Sequence, residues 1–343
     1  MRFTAIQMIG TQRSGSNLLR LMLNQLKELS APHPPHILER FMPLLPVYGD
    51  LTIEQNFAQL VDDVCRLVEY NPVPWTGVDL NRDEIINRCN QPLLTEITRV
   101  IYELKAESEN ASAWMCKSMA NIHYTDELES SGLKPLYLHL YRDGRDVACS
   151  FKKAIVGEKH IYYIAQQWKI EQDLSLQLVE RIGRHRVIQI RYEDLIANAE
   201  GEMRRLCEFI GISYDESAMQ YHQSNEAKNT ALSGAMWQNV EKPVIATNFN
   251  KYKKELQPEE IRLFEAVAGD TLLNLGYSLD YPDQTIRKFT KDEIALFKAR
   301  NKQMKDDSRA NQKPEDIEKR KNQDAFLNQL KHRLSQIETA ATV

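Results

Sequence analysis

The chain has 343 residues, enough to bury one substantial core with further elements around it. Its net charge of −4, from 44 basic and 48 acidic residues, argues against a nucleic-acid binder. No apolar run approaches the ~18 residues that a membrane-spanning helix needs; the first apolar segment already reads as a strand rather than a signal peptide, so a cytoplasmic location is expected.

In chain order, a strand is expected at 3–9, then a Gly/Ser turn and an apolar-periodic helix at 16–28. A Pro/His-rich turn at 31–36 leads into helices near 54–70 and 82–107. A strand at 113–117 and a helix at 123–131 precede a buried strand at 135–141 and a helix at 144–155. A long helix near 161–182, a strand at 186–191, helices through 210 and a helix at 258–274 ending at Gly276 complete the pattern. Strands alternating with helices imply a central parallel sheet covered on both faces, a three-layer α/β/α fold.

After Tyr281-Pro282 the composition shifts, which divides the chain into a domain of residues 1–283 and a charged helical extension of residues 284–343. Residues 286–343 hold 14 Lys/Arg against 9 Asp/Glu, a net +5, so the remainder carries −9 of the chain's −4. Phe326, Leu327, Leu330, Leu334 and Ile337 recur at helical spacing. The preferred reading is an amphipathic arm that packs on its own domain or on a homodimer mate. A solvated tail and a docking surface for an acidic partner are the alternatives. Cys65, Cys89, Cys116, Cys149 and Cys207 contain no C-x-x-C pair and read as buried free thiols. No metal site is expected, and His33-Pro-Pro-His36 is too short and stiff to make one.

Two motifs carry chemistry. Gly10 and Gly15 keep the G-x-x-x-x-G spacing of a phosphate-binding loop between strand and helix. The next two positions, Ser16 and Asn17, replace the Lys and Ser/Thr of a nucleotide kinase, and the cation stands earlier, at Arg13. Backbone N–H groups of Ser14, Gly15, Ser16 and Asn17 would cradle a phosphate-like group at the helix N-terminus. The Lys that reaches a γ-phosphate and the hydroxyl that holds Mg²⁺ are both missing. In the second motif Arg142 ends a strand, and Ser150 follows about two helical turns later. An Arg and a hydroxyl so placed can share one phosphate. Lys117, followed by Ser118, ends a third strand and adds a cation. Ligands collect at the carboxyl ends of such strands, so the motifs are expected to face one crevice.

Together these motifs resemble the sulfotransferases that use 3′-phosphoadenosine 5′-phosphosulfate (PAPS). The Arg13-Ser14-Gly15-x-x-Leu18 loop is closest to the tyrosylprotein and carbohydrate branch. The resemblance covers roughly residues 3–278 and implies a metal-independent transfer of sulfonate to a hydroxyl or amine, with 3′-phosphoadenosine 5′-phosphate (PAP) as product. It assigns Arg13 and the loop to the 5′-phosphosulfate, and Arg142 and Ser150 to the 3′-phosphate. Lys117 would stabilise the departing phosphate oxygen, Tyr192 would reach the adenine side, and Lys251 would lie on a late segment closing over the nucleotide. The family's catalytic Glu, 20–22 residues past the loop cation, has no counterpart: the count from Arg13 reaches His33-Pro34-Pro35. His33 and His36 are therefore the leading candidates for the base, with Glu39 next. Residues 41–112, punctuated by Pro43, Pro46, Pro72, Pro74 and Trp75, are expected to shape the acceptor side. The acceptor is a small molecule, carbohydrate, lipid or peptide. Two rival readings are a degenerate P-loop kinase and a nucleotide-binding module without catalysis.

Overall fold

Residues 4–9 alternate between two destinations. Ala5 and Ile9 enter one apolar cluster, Ile6 and Met8 enter another, and all four are buried. A strand buried on both faces must be central in a sheet that has helices on either side.

In the computed structural model, which describes residues 3–284, 287–312 and 314–341, that strand is the middle one of five. The elements are β1 (Thr4–Ile9), α1 (Ser16–Leu23), β2 (Leu29–Ser30), α2 (Ile37–Phe41), α3 (Glu54–Glu69), α4 (Arg82–Arg88), α5 (Leu94–Ser108), β3 (Ala113–Cys116), α6 (Thr125–Ser130) and β4 (Leu136–Tyr141). There follow α7 (Gly144–Lys153), α8 (Ile161–Ile182), β5 (Val187–Arg191), α9 (Tyr192–Ala197), α10 (Ala199–Ile210), α11 (Asn225–Leu232), α12 (Tyr252–Glu255), α13 (Pro258–Asn274), α14 (Lys291–Ala310) and α15 (Pro314–Ala341). The sheet order is β2-β3-β1-β4-β5, parallel throughout. β1 has β3 on one side and β4 on the other, so the order reverses at its carboxyl end. That reversal opens a crevice above β1.

Three departures from the sequence reading have local causes. The helix after the loop ends at Leu23, not near 28, because the Asn24 side chain accepts the Ala31 N–H at 2.8 Å and the chain turns back. The turn yields β2, whose two residues show no periodicity to read. The helix expected at 82–107 is two helices, α4 and α5. Pro92 lies in the break; it has no N–H to donate and disfavours helix at the residue before it.

The helices beyond residue 287 pack on the body of the protein. Phe326, Leu327 and Leu330 of α15 are buried in the same cluster as Ala5 and Ile9. The Phe326 ring meets Tyr70 edge-on at 5.8 Å, and Gln323 Nε2 donates to the Leu67 carbonyl at 3.3 Å. Ile337, on the same apolar series, is 41% exposed. On α14, Asn301 Oδ1 accepts from the backbone N–H groups of Lys159 and His160 at 2.9 and 3.0 Å. Among the described residues no helix is long and apolar enough to cross a membrane. The five cysteines are free; four are buried, and Cys89, expected to be buried too, is only half-buried.

Truncating a residue that is 2% exposed in a shared core removes packing and leaves a void. Leu330→Ala should therefore cost about 2–5 kcal/mol in urea unfolding, whereas Ile337→Ala should stay within about 0.5 kcal/mol. Equal costs at the two positions would contradict this account of the helix.

Candidate active site

The crevice above β1 is a cleft of about 820 Å³. Arg13, Gly15, Ser16, Asn17, His33, His36, Glu39, Lys117, Arg142, Ser150, Tyr192 and Lys251 all line it. Ser14 sits behind the loop with its hydroxyl buried and without a hydrogen-bond partner.

The loop owes its shape to two glycines. Gly10 (φ 121°) turns the chain against the end of β4, where a Cβ would lie 2.4 Å from the Leu140 carbonyl oxygen. Gly15 (φ 93°) starts α1 in a left-handed conformation, and a Cβ there would lie 2.4 Å from the Tyr192 ring. Arg13 has φ 72°, a conformation that costs a non-glycine residue energy. Beneath the loop, Gln172 Nε2 donates to Thr11 Oγ1 at 3.0 Å and Gln172 Oε1 meets His139 Nε2 at 2.7 Å, both buried.

Each cation arrives from a different strand end. Arg13 Nε donates to Ser150 Oγ at 2.9 Å, joining the two motifs across 137 residues. Lys117 Nζ donates to Asn17 Oδ1 at 3.1 Å, joining the end of β3 to the first turn of α1. Arg142 Nη2 donates to the Asn248 carbonyl at 2.8 Å and to Asp146 Oδ2 at 3.2 Å, while its Nε is buried without a partner. The Arg142 guanidinium lies 4.4 Å from the centre of the Tyr192 ring, and Asn248 Nδ2 donates to the Tyr192 hydroxyl at 2.6 Å. Tyr192 is thus packed between Gly15 and Arg142. Lys251 precedes α12, which is tied down where the Tyr252 N–H donates to Asp146 Oδ1 at 2.9 Å.

Burial and crowding lower the pKa of the first two cations. Burial, then the neighbouring Arg142, brings Arg13 to about 10. Burial, then Arg20 and Arg13, brings Lys117 to about 7.

The base candidates form the facing wall. The backbone carbonyl of His33 accepts from Asn71 Nδ2 at 3.0 Å and from Trp75 Nε1 at 2.7 Å, so residues 71–75 do shape this side. Both ring nitrogens of His33 are buried without a hydrogen-bond partner among the described residues, and its ring meets Trp237 edge-on at 5.8 Å. Burial, Arg20 and Lys117 hold its pKa well below the usual value. His36 Nδ1 lies 3.2 Å from Glu39 Oε2. Burial lowers His36 despite Glu39, whereas in Glu39 the effect of burial is outweighed by His36, Arg40 and Lys117, and its pKa falls.

The sequence reading missed Asp146, Asn248, Trp237 and Arg20. Asp146 was within reach, because it stands four residues after Arg142 on a helix start. Arg20 is fully buried: its Nη1 donates to Glu226 at 2.8 Å and to the Ala31 carbonyl at 3.1 Å, its Nη2 to Thr230 at 2.8 Å. Those bonds pin α1 to α11 and to the chain just before His33. No group of three metal-ligating side chains occurs among the described residues.

Fold and site together define a three-layer α/β protein with an anion-binding loop and converging cations at the point where strand order reverses. The chain belongs to the sulfotransferase family: residues 5–216 match the profile described as the sulfotransferase family, and residues 172–276 match the sulfotransferase domain. It is 23% identical over 301 residues to protein-tyrosine sulfotransferase A of Caenorhabditis elegans, covering 82% of this chain and 71% of that protein. The fold matches the sulfotransferase domain of the Synechococcus PCC 7002 olefin synthase, with a TM-score of 0.53 and 20% identity over 81% of this chain and 97% of that one. It also matches the sulfotransferase domain of the curacin biosynthetic pathway, with a TM-score of 0.52 and 19% identity over 81% and 100% of the two chains.

Gly15→Ala should strain the loop and displace the Tyr192 ring. A double-mutant cycle with Tyr192→Leu should give a coupling energy of at least about 1 kcal/mol in urea unfolding. Simple additivity would show that the ring does not rest on the glycine.

Proposed function

We propose that the protein transfers the sulfonate group of PAPS to a hydroxyl or amine of its acceptor, without a metal. The observation that carries this reading is the convergence of Arg13, Lys117 and Arg142 on one cleft at a helix N-terminus, with Arg142 Nε buried and without a hydrogen-bond partner among the described residues. Unpartnered buried donors are costly, and a phosphate-bearing ligand would satisfy them. The donor set therefore fits PAPS. Arg13 and the N–H groups of residues 14–17 would hold the 5′-phosphosulfate, and Arg142 with Ser150 the 3′-phosphate. Tyr192 and Lys251 would border the nucleoside.

PAPS, when bound, supplies the sulfonate, and the electron pair of its broken S–O bond stays on the 5′-phosphate oxygen of PAP. Lys117 in its ammonium form stabilises that oxygen. His33 takes the proton of the acceptor as the acceptor atom bonds to sulfur. We assign the base to His33 because both its ring nitrogens lack a hydrogen-bond partner among the described residues, whereas His36 has the Glu39 carboxylate 3.2 Å from its Nδ1. Its lowered pKa keeps it neutral, the form that can accept a proton. A tyrosine-bearing peptide is the first acceptor to screen, given the similarity to a protein-tyrosine sulfotransferase.

Calorimetry tests the nucleotide. PAP should bind without Mg²⁺ and far more tightly than AMP. Arg142→Ala should weaken PAP by about 10- to 100-fold while leaving AMP nearly unchanged. Preference for Mg-ATP, or equal losses for both nucleotides, would overturn the reading.

The pH profile tests the roles of Lys117 and His33. Lys117 acts as its charged form, which is lost as pH rises through a pKa of about 7, so kcat/KM should decline above neutrality. The alkaline limb of kcat should lie at higher pH, because bound phosphate favours the ammonium, and Lys117→Arg should remove it. His33 acts as its neutral form, so no acid limb should appear until the pH is well below its usual 6.5. An alkaline limb unchanged in Lys117→Arg would refute the assignment.

A further inference from the structure

The cleft continues past Glu39 into a second pocket of about 380 Å³, and Arg40, Asp316 and Arg320 line both. The second pocket is strongly cationic. Arg40, Lys159, Lys305, Arg309 and Arg320 line it, against the carboxylates Asp316 and Asp324. Three of these cations are engaged. Lys159 donates to the carbonyls of Phe151, Ala154 and Val156, Lys305 pairs with Glu158 at 3.1 Å, and Arg309 faces Asp306 at 3.7 Å.

Arg40 and Arg320 differ. The Nε of each is buried without a hydrogen-bond partner among the described residues. The Arg320 guanidinium lies 5.6 Å from the centre of the Trp237 ring. Burial, with Arg40 close by, lowers the Arg320 pKa in spite of Asp324 and Asp316. Two half-buried like charges side by side, only partly offset by Asp316 and Asp324, repel each other, and an anion between them would relieve that repulsion; a guanidinium pair matches a planar or tetrahedral oxyanion.

We propose that Arg40 and Arg320 form a subsite for a negatively charged group, a phosphate or carboxylate, at the end of the acceptor remote from its reacting atom. This rests on the sulfotransferase reading above. PAPS has its own cations in Arg13, Lys117 and Arg142, whereas Arg40 follows the base candidates His36 and Glu39 on α2. Arg320 comes from α15, beyond residue 276 where the family match ends. The C-terminal helix would therefore contribute to acceptor specificity from beyond the matched family domain.

The experiment is calorimetric titration of the full chain, loaded with PAP, with inorganic pyrophosphate. The same titration uses hydroxyl compounds with and without a phosphate tail. Pyrophosphate should bind the PAP-loaded protein. Arg40→Gln and Arg320→Gln should each weaken it about 10-fold or more, and Arg320→Lys should weaken it less. Arg142→Gln should weaken PAP and spare pyrophosphate. Hydroxyl compounds with the tail should bind more tightly than those without, by a margin lost in Arg320→Gln. No pyrophosphate binding, or binding indifferent to both arginines, overturns the subsite. Pyrophosphate binding with no advantage for any tailed compound overturns its assignment to the acceptor. Failure of PAP itself to bind removes the nucleotide reading, and the dependence of pyrophosphate on Arg40 and Arg320 then still decides whether the anion site exists.

Discussion

The site depends on a space left by a missing side chain. Gly15 carries no Cβ, and the Tyr192 ring occupies the place where one would be. The other contacts of that ring set Arg142 and Asn248, and Asn248 in turn takes a bond from Arg142. One close approach thus couples the loop after β1, the end of β4, the start of α9 and a segment more than a hundred residues further on. No single element could hold these groups in register, and rigid strand ends bring them together.

The three cations reach the cleft on different partners. Arg13 donates to a serine hydroxyl and Lys117 to an asparagine amide oxygen. Arg142 pairs with the Asp146 carboxylate. Crowding these charges in a dry cleft raises the free energy of the empty site, and an incoming anion relieves that repulsion. The same burial that lowers the pKa of Lys117 also makes its charge more effective once an anion is beside it.

Much of this was legible before the structure. Apolar runs mark β1, β3, β4 and β5, and strand-end position was enough to single out Arg13, Lys117 and Arg142. Charged residues directly after buried strands have few places to go but the crevice. Two kinds of information were not legible. β2 is too short to show a period, and Arg20 reads as an ordinary helix-surface arginine until α11 covers it with a glutamate 206 residues away. The other gap is the far wall. Trp237 and Arg320 come from distant segments with no motif of their own, and Asn248 lies on the late segment read for Lys251 without a role that the sequence could assign; only tertiary folding gives them a neighbour. The base remains the point where the family pattern gave least help, because the expected glutamate is absent and the choice falls to which imidazole is left without a partner.

The burial of Phe326, Leu327 and Leu330 against a cluster that includes Ala5 and Ile9 has a consequence for biogenesis. β1, α3 and α5 precede α15 in the chain, so the patch of this cluster that α15 covers, beside Leu67 and Tyr70 at the end of α3, closes only after that helix has been made. Until then the patch is apolar and uncovered, so the nascent chain passes through an aggregation-prone stage. Chaperone engagement during synthesis, and sensitivity to shortening of the C-terminal helix, should both follow from this late closure.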